Sequence, residues 1–342
     1  MEKLSLINTI QISSASVVPK YIQLANAINK AITSNVLQAG SILPTINELS
    51  SGIGLARDTV EKGYKVLKER KIILSKKGLG YFVAEGQVYD MRIAVFLNKL
   101  SYHKKLVYDA FIAELKGRAE VDLFVYNSDV DYLQHIINSQ YKPYDYYVVF
   151  PHFVGCVDRA AEVLSRLPQE KVLLLGKQME SLQHSFASIY ENYESDIYAA
   201  LHKSLGAIRK YQYLKLVFPE QGDYPKSIIK GFYKFCQDFA FNFSLVEDLE
   251  SESVLKEVCY VVLTDEDLVH LLDLTKENGY ALGTDVGVIS YNETPLKRHM
   301  YDGITTISTD FVLMGKMAAE CIKNRKGTRT AVPFYAHIRP SI

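Results

Sequence analysis

A series of β-branched apolar runs beyond residue 90 most limits what this chain can fold into. RIAVFL (92–97), VDLFVY (121–126), YYVVF (146–150), KVLLL (171–175), LKLVF (214–218), CYVVL (259–263) and DVGVIS (285–290) recur with helix-length stretches between them. Runs with no polar alternation predict strands covered on both faces, and the intervals admit crossover helices. Parallel sheets layered with helices follow. The region holds about 250 residues, a length better met by two such sheets than by one.

The segment before it obeys another pattern. After Pro19, the residues Tyr21, Leu24, Ile28, Ala31 and Ile32 fall on one helical face, and proline suits a first turn. Beyond Gly40, Thr45 and Glu48 form a T-x-x-E capping box, so a second short helix starts near Ile46 and ends at Gly52 and Gly54. A third helix, about Ala56 to Arg70, buries Val60, Tyr64 and Leu67. Ile72-Ile73-Leu74 and Tyr81-Phe82-Val83 flank a glycine-containing turn and predict a hairpin. Three helices closed by a basic hairpin make a winged helix-turn-helix, expected over 1–86, with the second domain over 87–342.

Charge is divided between the two. Residues 1–86 carry 11 Lys/Arg against 6 Asp/Glu, and the remainder 28 against 33, for a net charge of zero. A positive segment beside a negative one fits a module that meets phosphates attached to one that does not. The third helix offers Arg57, Asp58 and Thr59 at the end that reaches base edges, with Arg57 suited to a guanine or a phosphate. Lys76 and Lys77 sit beside Gly78 and Gly80, whose lack of a side chain lets backbone approach a duplex. Thr45 can donate to a phosphate at the start of the second helix. Lys62, Lys65, Lys68 and Lys71 read as a solvated helix face.

At VPKYIQLANAI, LPTINELS, LARDTVEKGYKVL and GLGYFV the sequence resembles the gluconate-operon repressor (GntR) family of bacterial regulators, over about residues 18–84. The resemblance implies DNA contacts from Thr45, Arg57, Thr59, Lys77, Gly78 and Gly80. Many members have arginine where Asn47 and Glu61 stand here, which implies a different operator preference or weaker phosphate anchoring.

In open parallel sheets, ligands bind where loops leave the carboxyl ends of strands. That rule selects Asn98, Lys99, Ser101 and Tyr102; Pro151, His152 and Phe153; Gly176, Lys177 and Gln178; Pro219, Asp223 and Tyr224; Thr264, Asp265 and Glu266; and Tyr291, Asn292 and Glu293. Amide, carboxylate and amine groups beside aromatic rings suit a polyhydroxylated ligand. The competing reading for any one of them is a turn or capping residue, and for His152 a packed histidine. Over about 90–340 the chain resembles the periplasmic-binding-protein-like sensor domains of the lactose/galactose repressor class, most clearly at VVLTDEDLVHLLDLTKENG, DVGVISYNETP and ITTISTDFVLMGKMAAECI. That resemblance implies two lobes around a ligand cleft, with Asp265 and Asn292 near a sugar and Glu191 and Asn192 facing the cleft. The arginine that family carries before a Gly-aromatic pair is absent ahead of Gly231-Phe232, where Ile228 stands with Lys226 and Lys230 nearby.

The expected function is sequence-specific binding of double-stranded operator DNA, controlled by a small sugar-like effector, in a homodimer. Repression relieved by ligand is the expected sign, with activation as the alternative. An enzyme reading would use Asp265 and Glu266 as paired carboxylates, but adjacent side chains usually diverge and no nucleophile motif or phosphate loop accompanies them. No cofactor or metal is expected: Cys156, Cys236, Cys259 and Cys321 are scattered, without metal spacing, and read as small hydrophobes. The opening residues lack a sustained apolar core and no stretch approaches membrane-spanning length, so a cytoplasmic location is expected and an exported solute-binding protein is not.

Overall fold

The computed structural model describes residues 6, 7, 9–13, 16, 18–76, 78–84, 89, 91–139, 144–153, 155, 157–182, 186–219, 224–250, 252–324 and 327–342. Backbone contacts divide the chain into two compact units, Met1–Ile93 with Leu115–Asp122, and Ala94–Glu114 with Leu123–Ile342.

In the first unit Pro19 immediately precedes α1 (Lys20–Thr33), and its carbonyl accepts the N–H groups of Ile22 and Gln23 at 2.9 and 3.0 Å. Leu24, Ile28, Ala31 and Ile32 are buried, as the spacing predicts, while Tyr21 is half-buried. The capping box forms at the head of α2 (Ile46–Ile53), which ends at Gly54 in the left-handed conformation, φ 67°. Gly52 lies inside this helix and does not end it; a Cβ there would come within 2.8 Å of Ile7. Helix α3 (Arg57–Glu69) buries Val60, Gly63, Tyr64 and Leu67. Strands β1 (Ile73–Lys76) and β2 (Gly80–Val83) pair antiparallel, with Ile73 opposite Val83 and Lys76 opposite Gly80. One apolar core joins these helices to the hairpin through Leu24, Ile28, Leu49, Val60, Ile73 and Val83.

The larger domain consists of two six-stranded sheets, as the apolar runs predict. The first has β3 (Met91–Leu97), β4 (Ala119–Val125), β5 (Tyr146–Val149), β6 (Val172–Gly176), β7 (Ala187–Tyr190) and β13 (Arg329–Ala331), in the order β13-β7-β6-β5-β3-β4. The second has β8 (Tyr213–Val217), β9 (Asn242–Val246), β10 (Val258–Val262), β11 (Val286–Tyr291), β12 (Thr305–Thr309) and β14 (Phe334–His337), in the order β14-β12-β11-β10-β8-β9. The pairs β5–β6, β6–β7, β8–β9, β8–β10, β10–β11 and β11–β12 are parallel, and β14 is antiparallel to β12. Burial explains the unbroken apolar runs: all five residues of β6 and of β10 are buried.

Helices α4 (Tyr102–Leu115), α5 (Val130–Ser139), α6 (Val157–Ser165), α7 (Tyr193–Ile208), α8 (Ser227–Asp238), α9 (Asp265–Glu277) and α10 (Phe311–Asn324) make the crossovers. Gly231 lets α8 lie against α7, since a Cβ there would sit 2.1 Å from the Glu194 carbonyl oxygen. The chain passes between the sheets three times: after β7, after β12 and after β13. The crossings are tied side by side, because Val332 N–H donates to Tyr190 O at 2.8 Å and Asp310 N–H to Pro333 O at 3.0 Å. Among the described residues, no helix is long and apolar enough to cross a membrane.

Candidate nucleic-acid interface and ligand cleft

The surface of the small unit is set by the starts of two helices and one turn. No side chain caps α3, and Arg57 and Asp58 are exposed in its first turn while Thr59 is half-buried. An uncapped helix start with an exposed guanidinium favours an approaching anion. At α2, the Thr45 hydroxyl accepts from Glu48 N–H at 3.2 Å and Glu48 Oε2 accepts from Thr45 N–H at 2.7 Å. This leaves the threonine O–H proton able to donate outward. Tyr64 fixes the height of that helix start: its buried hydroxyl donates to Pro44 O at 2.7 Å and its ring meets Tyr81 edge-on at 4.7 Å. Burial, with Tyr81 and Glu48 nearby, raises the phenol's pKa, so it stays a donor. In the hairpin, Leu79 N–H donates to Lys76 O at 3.0 Å, and Gly78 and Gly80 have φ 82° and 86°. Those angles favour glycine, and they place exposed Lys76 at the tip. Lys77 lies outside the described residues.

In the large domain, a cavity of about 170 Å³ lies where strand ends of both sheets meet. Asn98 after β3, Phe150 and His152 after β5, Gly176 closing β6 and Glu191 after β7 supply one side. Tyr224, Tyr291 and Asn292 supply the other, with Lys104 and Val107 of α4 and Phe311 and Met314 of α10 completing the wall. Asn98 is fully buried; its Nδ2 donates to Ser128 Oγ at 3.3 Å, and its Oδ1 accepts from Lys104 Nζ. The Glu191 carboxylate accepts from Thr309 Oγ1 at 2.7 Å and from the Tyr193 hydroxyl at 2.9 Å, so it joins the crossing after β7 to the end of β12.

Burial dominates the electrostatics here. It raises the pKa of Glu191 against the hydrogen bonds from Thr309 and Tyr193 and the charge of Lys104. Asp196, one turn into α7, is pushed up to about 7 by burial and by Glu191, opposed by the Asn192 N–H it accepts at 2.8 Å. His103 is lowered to about 4 by burial and then by the ammonium of Lys297, which keeps its ring neutral. Among the described residues, buried polar atoms of cavity-lining side chains that have no hydrogen-bond partner include Tyr291 OH, Asn292 Oδ1 and His103 Nε2.

Comparison with known proteins bears on both regions. Residues 20–83 match the model of bacterial regulatory proteins of the gntR family, over the three helices and the hairpin just described. This region is a gntR-family domain. Residues 244–338 match the periplasmic binding protein-like domain. The HTH-type transcriptional regulator GgaR of Escherichia coli K12 is 36% identical over 70 residues, covering 20% of this chain and 28% of GgaR. The trehalose repressor of E. coli superposes with TM-score 0.59 at 14% identity, covering 72% of this chain and 99% of that one. A LacI-family regulator from Enterococcus faecium with bound ribose gives TM-score 0.59 at 18% identity over 73% of this chain and 98% of its own. Those likenesses show that the large domain has the two-sheet fold of LacI-type regulators.

On the gntR-family domain, Thr45, Arg57, Asp58, Lys76 and Gly78 are exposed, with Thr59 and Gly80 half-buried beside them. In the cleft, the structure brings together Asn98, Ser101, His152, Tyr224 and Asn292, together with Lys99, Gly176, Glu191 and Tyr291. Tyr102 instead lines an outer groove with Glu293 and Arg298, and Lys177 lines a separate hollow with Pro151 and Phe153. Asn192 is exposed at the start of α7, and Asp223 lies outside the described residues. Asp265 does not line the cavity; its Oδ1 pairs with Lys297 Nζ at 2.7 Å. Lys297 is 2% exposed and donates to the carbonyls of Tyr291 and Asn292 at 3.0 and 2.9 Å, so Asp265 acts on the loop that carries two lining residues. The strand-end rule missed Lys104, Val107, Phe311 and Met314, which reach the cavity from helices. Of the cysteines, Cys236 and Cys259 are buried, Cys321 is half-buried and Cys156 lies outside the described residues.

Proposed function

We propose that this chain is a sequence-specific DNA-binding transcription regulator, a repressor whose operator affinity is set by a small sugar-like molecule in the cleft. The match of residues 20–83 to the gntR-family model carries this reading. The exposed Arg57 at the start of α3 and the glycine-turned hairpin support it. Division at residues 86 and 87 separates a DNA-reading head from an effector-binding and dimerising domain. In the head, Arg57 reads a base or anchors a phosphate, Asp58 and Thr59 flank it, and Thr45, Lys76, Lys77, Gly78 and Gly80 hold the backbone.

The protein works in the cytoplasm as a homodimer, because paired winged helices read the two halves of a near-palindrome. The effector binds two conformations of the sensor with different affinity, and a coupling of roughly 1–3 kcal/mol is ordinary for such a device. An enzymatic role receives no support from Asp265, which is engaged by Lys297. To test the reading, selection of tight binders from a random duplex library should return a two-fold symmetric sequence. Titrating sugars into that complex, followed by fluorescence anisotropy, should release it. Equal affinity for the selected and scrambled duplexes would refute the DNA-reading role, and unchanged anisotropy with every sugar would refute the coupling.

A further inference from the structure

We propose that Lys297 is a positioning residue for ligand recognition: its buried ammonium fixes the angle at which Asn292 is presented to the cleft, and Asp265 acts only through it, without touching the ligand. This deepens, and rests on, the reading of the cleft as a sugar-sensing site. Asn292 follows β11 with φ 66°, a left-handed backbone that residues other than glycine seldom adopt and that surrounding contacts must hold. Lys297 supplies such a contact. Its Nζ donates to Tyr291 O at 3.0 Å and to Asn292 O at 2.9 Å, the carbonyls of the two peptide groups on either side of the Asn292 Cα. Gripping both peptide planes sets the one residue between them.

The third ammonium hydrogen goes to Asp265 Oδ1 at 2.7 Å, at the start of α9, so the exits of β10 and β11, neighbours in the sheet, are joined. The Lys297 backbone carbonyl accepts Ile304 N–H at 2.8 Å, which ties its turn to the segment entering β12. Burying an ammonium is costly and brings little net stability even when it is paired, whereas an apolar side chain of this length would fill the same space. What the ammonium alone supplies is three donors to three oxygens. They bear on the cleft because Tyr291 and Asn292 line it, and Asn292 Oδ1 is buried without a hydrogen-bond partner. A side-chain amide is directional, so the angle at which it is held decides which ligand hydroxyls it meets. Lys297 and Asp265 stand behind this wall, and the Asp265 side chain is 63% exposed on the far side of the pair.

The test combines calorimetry with hydrogen–deuterium exchange on the full chain, with ribose, arabinose, glucose, galactose, fucose, lactose, sucrose and trehalose as probes. Lys297→Met should weaken each sugar that binds tenfold or more and speed amide exchange across 291–298 by a similar factor, with 258–262 in β10 unchanged. Asp265→Ala should do both several-fold in an otherwise parental chain. In the Lys297→Met background it should cost nothing further, because the only path from Asp265 to the cleft is already cut. Losses that multiply would put Asp265 on the sugar itself and overturn the assignment. Sugar affinity or 291–298 exchange that survives Lys297→Met unchanged overturns it too, and leaves sugar sensing standing. Should Lys297→Met misfold and speed exchange at 258–262 as well, Asp265→Ala decides alone: faster exchange confined to 291–298 supports the assignment, and unchanged exchange there overturns it. If none of these sugars binds the parent chain, sugar sensing falls and the assignment with it.

Discussion

The gntR-family domain and the cleft of the large domain place their polar groups in opposite ways. In the head, Arg57, Asp58 and Lys76 face solvent over an apolar core whose buried phenol, Tyr64, is already bonded to Pro44 O. In the cleft, polar groups point inward, and Tyr291 OH, Asn292 Oδ1 and His103 Nε2 are buried without partners. An extended polyanion is met by charges that remain hydrated until contact, and its affinity is correspondingly salt-dependent. A small neutral ligand is met by polar groups desolvated in advance, where each correct hydrogen bond counts for more and each missing one is penalised.

Four measurements can break or sharpen that contrast. Arg57→Ala should weaken the selected duplex by roughly 1–3 kcal/mol, read by anisotropy, while calorimetric sugar affinity stays unchanged. A parallel loss of sugar binding would show that the two regions are not separable in this way. Tyr291→Phe should lower sugar affinity by about 0.5–1.5 kcal/mol and leave unliganded DNA binding intact.

Asp196→Asn concerns pH. Because burial raises the carboxyl's pKa to about 7, the folded chain holds this proton more tightly than the unfolded chain does. The associated stability is fully present below the ordinary value near 3.8 and is lost as pH rises through about 7. The asparagine variant should therefore gain more over the parent at pH 8 than at pH 5. After discounting for solvent screening, the gain is about 1 kcal/mol, or about 2–4 °C. Equal melting differences at both pH values would show that the aspartate is not held protonated. The smallest effect belongs to Lys76→Ala, which should weaken all duplexes alike and flatten the slope of log affinity against log salt by about 1.

The sequence disclosed regular features better than converging ones. Seven apolar runs anticipated strands because β3, β6, β10 and β11 are enclosed in the sheets, and enclosure leaves an uninterrupted apolar signature. Strand β7 is short, with Ala187 and Ser188 in it, and β14 alternates half-buried and exposed residues at a sheet edge, so neither carries that signature. The rule about strand ends found Asn98, His152, Tyr224 and Asn292, which leave the sheets directly. It could not find Lys104 or Phe311, whose arrival at the cavity depends on how α4 and α10 lie against the sheets. Asp265 follows β10 as the rule requires, yet Lys297, distant in sequence, pairs with it outside the cavity wall.

The triple crossing between the sheets has a mechanical consequence. A single strand between two bodies permits twisting about its own axis as well as bending. Three laced together, with Val332 bonded to Tyr190 and Asp310 to Pro333, resist torsion and leave flexing as the compliant motion. A ligand bound in the cleft as proposed would therefore act on one coordinate, the angle between the two sheets.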